Sequence, residues 1–218
     1  MAIAIADRLI DSGLKQEDVS KVVEGMSSYY NRLNMIGNKI TSCSACSLRD
    51  GCHVPIAGIG PLRPEIVVVS DYPPLGKDDL SIIEVQVVMM MLFSRIPLNV
   101  EDIYWTHAVK CRADRVTMGH IKECYVHLVN EIAILQPAAI VALGSVAISS
   151  LATEHISIND AIDGEFHFEM GNPQNGSERR IPVIPVYHPR TLMGIDKAEF
   201  KDKMNRMWKN IRVISDYL

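Results

Sequence analysis

The stretch CSACSLRDGC, residues 43–52, crowds three thiols together. Cys43 and Cys46 form a C-x-x-C pair, the spacing at which two thiolates can hold one metal ion or one cluster. Cys111 and Cys124 lie far along the chain. A local pair plus two distant thiols makes a four-thiolate set that zinc or an iron–sulfur cluster would both accept. The residues alone leave another reading open, with Cys124 as a core residue and Cys111 as a loop thiol. Cys52 is a fifth thiol, either buried or substituting for one of the four. A disulfide framework is disfavoured. The opening MAIAIADRLIDSG has no basic leader, and Asp7 interrupts its short apolar run, so it does not read as a signal peptide. The expectation is a cytoplasmic, nucleoid-associated protein whose thiols stay reduced.

Four other residues carry possible chemistry: Asp71, His107, Gly144 and His188. Each follows or ends a run that reads as a strand. EIVVVSD (65–71) is short, β-branched and apolar, and DIYWTHAV (102–109), AAIVALG (138–144) and RIPVIPVYHP (180–189) follow it. Pro182 and Pro185 place the last one near a sheet edge. Helical patterns lie between. DLSIIEVQVVMMMLFSR (79–95) has Ser81 as a candidate N-cap. GHIKECYVHLVNEIAIL (119–135) has an inner face of Ile121, Cys124, Leu128, Ile132 and Leu135, and Pro137 stops it. A further helix starts at Ser145 and a last one covers about 197–216. Strand–helix alternation predicts a parallel sheet covered on both faces, with functional groups at the C-terminal strand ends. The polar run EMGNPQNGSER (169–179) reads as a flexible loop.

Residues 1–41 read as a helical extension, two segments around a Ser12-Gly13 break. Val19, Val22, Val23 and Met26 recur there at helical spacing. From residue 42 the chain turns to Cys, Gly and Pro, so 42–218 is predicted as the core domain. The 218 residues are 48% hydrophobic and 22% charged, which is ordinary globular composition. The longest apolar run, VQVVMMMLF at 85–93, is too short to cross a bilayer, so no membrane role is expected. A net charge of −4 argues against coating nucleic acid through charge alone. Local basic clusters remain, in KCRADR (110–115), ERR (178–180) and KDKMNRMWK (201–209).

These pieces follow one another in a telling order. CSACSL is followed by GIG (58–60), IVVVSDYPP (66–74), IYWTHAVKCRADR (103–115), Cys124, LQPAAIVALGSVAISSL (135–151) and VYHP (186–189). The arrangement resembles the family 4, iron–sulfur, branch of the uracil-DNA glycosylase superfamily, which also holds phage DNA polymerase-related proteins. The likeness covers residues 43 to about 215. It implies a three-layer α/β/α fold around a four-stranded, mainly parallel sheet. It also implies a [4Fe-4S] cluster on Cys43, Cys46, Cys111 and Cys124, leaving Cys52 out. The cluster would pin the segment after residue 42 to the 111–124 loop, where Arg112, Arg115 and Lys122 would meet DNA.

The implied activity is hydrolysis of the N-glycosidic bond of uracil, or a related modified base, in single- or double-stranded DNA, as in base excision repair. The base must be flipped out, water oriented at the sugar C1′, and the leaving base stabilised at its carbonyl oxygen. His188 matches the family's His-Pro motif and would donate to that oxygen. Asp71 matches the acidic residue of the Gly-Glu-Ala-Pro-Gly motif and would orient water, with an Asx turn before Tyr72-Pro73 as its structural alternative. Backbone around Tyr72 and Pro73 would approach base or phosphate. Gly144 and Ser145 open a helix whose N-terminus could take a phosphate. Arg190 and Arg112 complete the expected substrate contacts.

Departures from the family concentrate at the site. Ser70-Asp71-Tyr72-Pro73-Pro74 replaces the glycine-bounded motif. LSIIEVQVV stands where the family has an aromatic ring that stacks on uracil. His107 stands where an Asn amide reads the base edge, and a histidine lacks the amide's paired donor and acceptor. His107 is still placed in the pocket, where it could stabilise or capture the sugar cation. The Cys111–Cys124 separation is a few residues shorter than usual in the family. Three outcomes are open: uracil excision from an altered pocket, action on another base with Tyr72 or Tyr104 as the stacking surface, or an inactive DNA-binding, replication-associated module. In the last, residues 1–41 would dock a replication or repair protein.

Overall fold

The structure, a computed structural model, describes residues 11, 13, 15–51, 54–73, 89, 90, 93, 94, 96–171 and 178–218. Its frame is a sheet built from β1 (Ile66–Ser70), β2 (Ile103–His107), β3 (Ala139–Leu143), β4 (Phe166–Gly171) and β5 (Glu178–Val186), in the order β2-β1-β3-β5-β4. β1, β2, β3 and β5 are parallel, and β4 runs antiparallel to β5. Every residue of β1 and β3 is buried, which is why both read as unbroken apolar runs.

The expected four strands are thus five. β4 was missed because part of it was read as the start of the 169–179 loop. Residues 169–171 and 178–179 instead belong to a hairpin, with Glu169 opposite Arg180 and their side chains 3.7 Å apart. The sequence did carry a signal. FHFEM alternates apolar and polar residues, and Phe168 is buried. β4 takes the edge, so β5 is an inner strand, with Pro182 opposite His167 and Pro185 level with Ala142.

Helices cover this sheet. α1 (Gln16–Thr41) packs against α2 (Met118–Leu135). α1 buries Val19 and Ile40 and leans Leu33 on the core, while Met26, Tyr30 and Met35 are exposed. The segment before the Ser12-Gly13 break lies outside the described residues. So do Cys52 and most of the 79–95 helix with Ser81; of that helix, Met89 and Phe93 reach the core. The five predicted inner residues of α2 are all buried. Thr117 caps it: its Oγ1 accepts from the His120 N–H, and His120 Nδ1 accepts from the Thr117 N–H, both at 3.3 Å. This is a capping box with histidine in the glutamate's place. α3 (Gly144–Ala152), the one-turn α4 (Ile158–Ala161) and α5 (Lys197–Ile211) complete the layers. No helix among the described residues is long and apolar enough to cross a membrane.

One acid breaks the apolar stripe of α2. Glu131 is fully buried, and so is Lys110, which the sequence had placed in a surface basic cluster. Lys110 Nζ lies 2.5 Å from Glu131 Oε2 and donates to Thr106 Oγ1 at 2.6 Å. Glu131 also accepts from Thr106 Oγ1 at 2.7 Å, the Gly58 N–H at 2.8 Å and the Tyr104 hydroxyl at 3.4 Å. A carboxylate so fully satisfied is tolerable inside a protein; one left alone is not.

Glu131→Ala leaves the Lys110 ammonium buried without its carboxylate and should lower the unfolding free energy by about 3–5 kcal/mol in urea melts. Replacing both charges at once, Lys110→Met with Glu131→Leu, should lose less than that. Equal losses would mean the pair is not the reason.

Candidate functional site

Two clusters of chemistry-bearing side chains stand near one end of the sheet. The first is the thiol set. α1 ends at Thr41, and the Cys43 N–H closes onto Ile40 O at 3.0 Å. Cys46 precedes a single 3-10 turn (Ser47–Arg49), and Ser47 Oγ lies 3.3 Å from His120 Nε2 at the start of α2. Cys111 follows β2, and Cys124 sits on the inner face of α2. All four cysteines are unbridged thiols lining one small pocket, together with Pro55, Arg49 and His127. Cys43, Cys46, Cys111 and Cys124 thus border the same pocket.

The Lys110 N–H donates to Cys124 Sγ at 3.2 Å. Burial pushes the Cys124 thiol above its ordinary range, the Lys110 N–H and charge pull it back, and the nearby Cys46 and Cys43 push it up again. Among the described residues no three His, Cys, Asp or Glu side chains are grouped tightly enough for one metal ion. Four thiols on one cavity, from three separate chain segments, nonetheless suit a group with several metal atoms, each taking one sulfur.

The second cluster lies at the C-terminal strand ends, as α/β geometry requires. His107 ends β2 and is level with Ser70, which ends β1. His188 follows β5 and is only 3% exposed. Its Nδ1 accepts the Arg190 N–H at 3.2 Å, and its Nε2 lies 3.1 Å from Ser70 Oγ. His107 is held neutral, its pKa driven down to about 3, first by burial and then by the Lys110 charge. Its Nδ1 is buried without a hydrogen-bond partner among the described residues.

Asp71 does not make the Asx turn weighed for it. Its Oδ1 accepts the Ala147 N–H at 2.9 Å and its carboxylate also meets the Val146 N–H, so it caps α3. Burial outweighs these bonds and the Arg190 charge, and lifts its pKa to about 7. The same contact explains Gly144. With φ of +90°, a Cβ there would stand 2.6 Å from Asp71 Oδ2. The first turn of α3 is thus closed by an internal carboxylate, and Ser145 Oγ is taken by the Ile158 N–H at 3.0 Å. The phosphate role expected of Gly144 and Ser145 is corrected accordingly: this helix N-terminus already holds its anion.

Tyr72 is half-buried and packs on Val109, Ile121 and Cys124. The Arg190 guanidinium lies over its ring, 5.6 Å from the centroid. Pro73 is buried beside it, whereas Arg112 is exposed on the loop between Cys111 and α2. Tyr104 cannot offer a stacking face. It is buried in the core, and its ring occupies the space a Gly58 side chain would need. Sequence reasoning missed Ser70, Lys110 and Glu131. The signal for Glu131 was an acid on the stripe of Leu128, Ile132 and Leu135. For Lys110 it was a charge directly after a buried strand.

The uracil DNA glycosylase superfamily model matches residues 75–212, more than half of the chain. The chain belongs to the uracil-DNA glycosylase superfamily. Within this superfamily it is 25% identical over 171 residues to the type-4 uracil-DNA glycosylase of Archaeoglobus fulgidus, covering 74% of this chain and 83% of that one. The type-4 uracil-DNA glycosylase of Thermotoga maritima is 26% identical over 170 residues, with the same coverage. That of Pyrobaculum aerophilum is 25% identical over 125 residues, 55% of this chain and 64% of its own. Asp71 and His188 are therefore site candidates on a glycosylase-superfamily scaffold, placed where its strands end.

The Asp71 carboxyl has a pH signature. Its folded pKa lies above the unfolded value, so the folded chain holds this proton more tightly. Its contribution to stability is full below about pH 4 and is lost as pH rises through about 7. Asp71→Asn should remove that decline from the stability-versus-pH curve. An unchanged slope between those limits would place the titration elsewhere.

Proposed function

We propose that the protein hydrolyses the N-glycosidic bond of uracil in DNA. The observation that carries this reading is His188, buried at a strand end of a superfamily fold with Nδ1 committed to the Arg190 N–H. A neutral imidazole whose Nδ1 accepts must carry its proton on Nε2, so Nε2–H is the donor available to the departing base. The named relatives point the same way, and the alternative of an inactive DNA-binding module is not favoured.

In this reading the C1′–N bond breaks and its electron pair leaves with the base. Negative charge gathers on the base carbonyl, where His188 Nε2–H meets it. Water bonds to C1′, and ionised Asp71 receives its proton. Asp71 Oδ1 is held by the Ala147 N–H, which fixes the carboxylate, and Oδ2 is the oxygen assigned to the water. His107 is neutral and lies beside His188, so it lines the pocket without adding charge. Tyr72 and Pro73 form the adjoining wall, Arg190 braces Tyr72, and exposed Arg112 meets the DNA backbone. The reading needs no protein partner at residues 1–41.

Cys43, Cys46, Cys111 and Cys124 are assigned to a [4Fe-4S] cluster. When bound, the cluster supplies a cross-link between the end of α1 and the β2–α2 loop. A site of reduced thiolates belongs in a reducing compartment, which favours the cytoplasm.

Uracil oligonucleotides incubated with anaerobically prepared protein and then treated with alkali should be cut at the uracil. His188→Ala should slow single-turnover excision about 10²–10³-fold, as loss of one oxyanion donor does. Wild-type kcat/KM should rise with pH up to about 7, the Asp71 value, and Asp71→Asn should abolish both limb and activity. Absence of cutting by the iron-loaded wild type would sink the assignment. For the cluster, the protein should be brown, absorb near about 400 nm and hold about four irons per chain. Cys111→Ser should lose colour and iron, whereas a colourless wild type holding zinc would contradict the cluster.

A further inference from the structure

We propose that Ser70 is a positioning residue for His188, and that its hydroxyl oxygen stands where the base carbonyl docks. The second half rests on the glycosylase reading; the first does not. Ser70 ends β1, is 8% exposed and puts Oγ 3.1 Å from His188 Nε2. At the other ring nitrogen the Arg190 N–H donates to Nδ1 at 3.2 Å. Nδ1 therefore bears no proton, the neutral ring carries it on Nε2, and Ser70 Oγ is its acceptor.

The ring is thus held at both nitrogens by groups from different parts of the chain. One is the backbone of the 3-10 turn Pro189–Leu192; the other is the last residue of a central strand. The strand end is itself fixed. Ser70 O accepts the Ala108 N–H at 2.8 Å, and Ser70 is level with His107 in the β1–β2 pairing. A hydroxyl presented from a sheet is placed more narrowly than one on a loop. Turning the ring would break both bonds, and moving its proton to Nδ1 would lose the Arg190 bond, inside a buried site where unmade hydrogen bonds are expensive.

The same hydroxyl explains how a buried N–H can wait for substrate. Nε2–H faces Ser70 Oγ before substrate arrives. An arriving carbonyl exchanges one neutral acceptor for another, a step with a small net free energy. Ser70 then acts through His188. The competing explanation is that Ser70 merely fills space at the end of β1.

The experiment uses the full, iron-loaded chain with ¹⁵N-labelled histidine. Long-range ¹H–¹⁵N correlations report the tautomer of each ring, and His188 is assigned by its loss in His188→Ala. Wild type should show His188 as a single Nε2–H form with slow exchange of the ring proton. Ser70→Ala should speed that exchange and mix the tautomers, and Ser70→Thr should restore the wild-type pattern. Should alanine impair folding, Ser70→Cys, similar in size but a weak acceptor, should shift the spectrum the same way. Single-turnover uracil excision should slow about 3–10-fold in Ser70→Ala, as a less ordered His188 ring would give, with Ser70→Thr near wild type. An unchanged His188 spectrum in both Ser70→Ala and Ser70→Cys overturns the proposal, whatever the rate does. A spectrum that shifts as described in a protein unable to excise uracil upholds the positioning role and defeats the glycosylase reading instead.

Discussion

The buried ion pair of Lys110 and Glu131 is the constraint around which the rest is arranged. Its charges are affordable only because three further groups complete the network around Glu131 of α2, and they come from distant places: Thr106 and Tyr104 on β2 and Gly58 on the preceding loop. Satisfying one carboxylate therefore fixes a strand, a helix and a loop together. The backbone of Lys110 extends the effect. Its carbonyl accepts the Ile56 N–H at 2.8 Å and its N–H reaches Cys124 Sγ, so the core pair and the thiol cavity share one residue. Buried pairs often contribute little net stability; their use here is to define where things go.

At the opposite side of the same strand ends, a second long-range contact plays a comparable part. Asp71, just after β1, closes the first turn of α3, just after β3. A carboxylate at a helix N-terminus is favoured by the unpaired amides and the helix dipole. The price is a backbone without room for a side chain at Gly144. The carboxylate is thereby held at the first turn of α3, with its proton affinity raised by burial.

Much of this was legible in the sequence, for physical reasons. β1 and β3 are buried on both faces, so their apolar runs could not be mistaken for exposed loops. The inner face of α2 follows helical periodicity closely enough that all five residues were found. Alternation of strand and helix then put Asp71, His107 and His188 at one end of the sheet before any coordinates. Other features were hidden by the same rules that made these visible. Charged residues are usually solvated, so Lys110 and Glu131 read as surface. Pro and Gly between the hairpin strands disguised β4 as loop. Tyr104 near a strand end read as an available ring, when Gly58 and Gly60 leave room for it inside. Asp71 and Ala147 are far apart in the chain, and no local pattern announces a cap supplied from another strand.

Tyr72 has a consequence beyond its place in the wall. One side of its surroundings is Cys124 with Val109 and Ile121; the other is Arg190, whose own amide steadies the imidazole two residues earlier. A single aromatic ring thus stands between the thiol-lined pocket and the turn whose amide steadies His188, so packing at the sulfurs and the placement of the imidazole share one side chain.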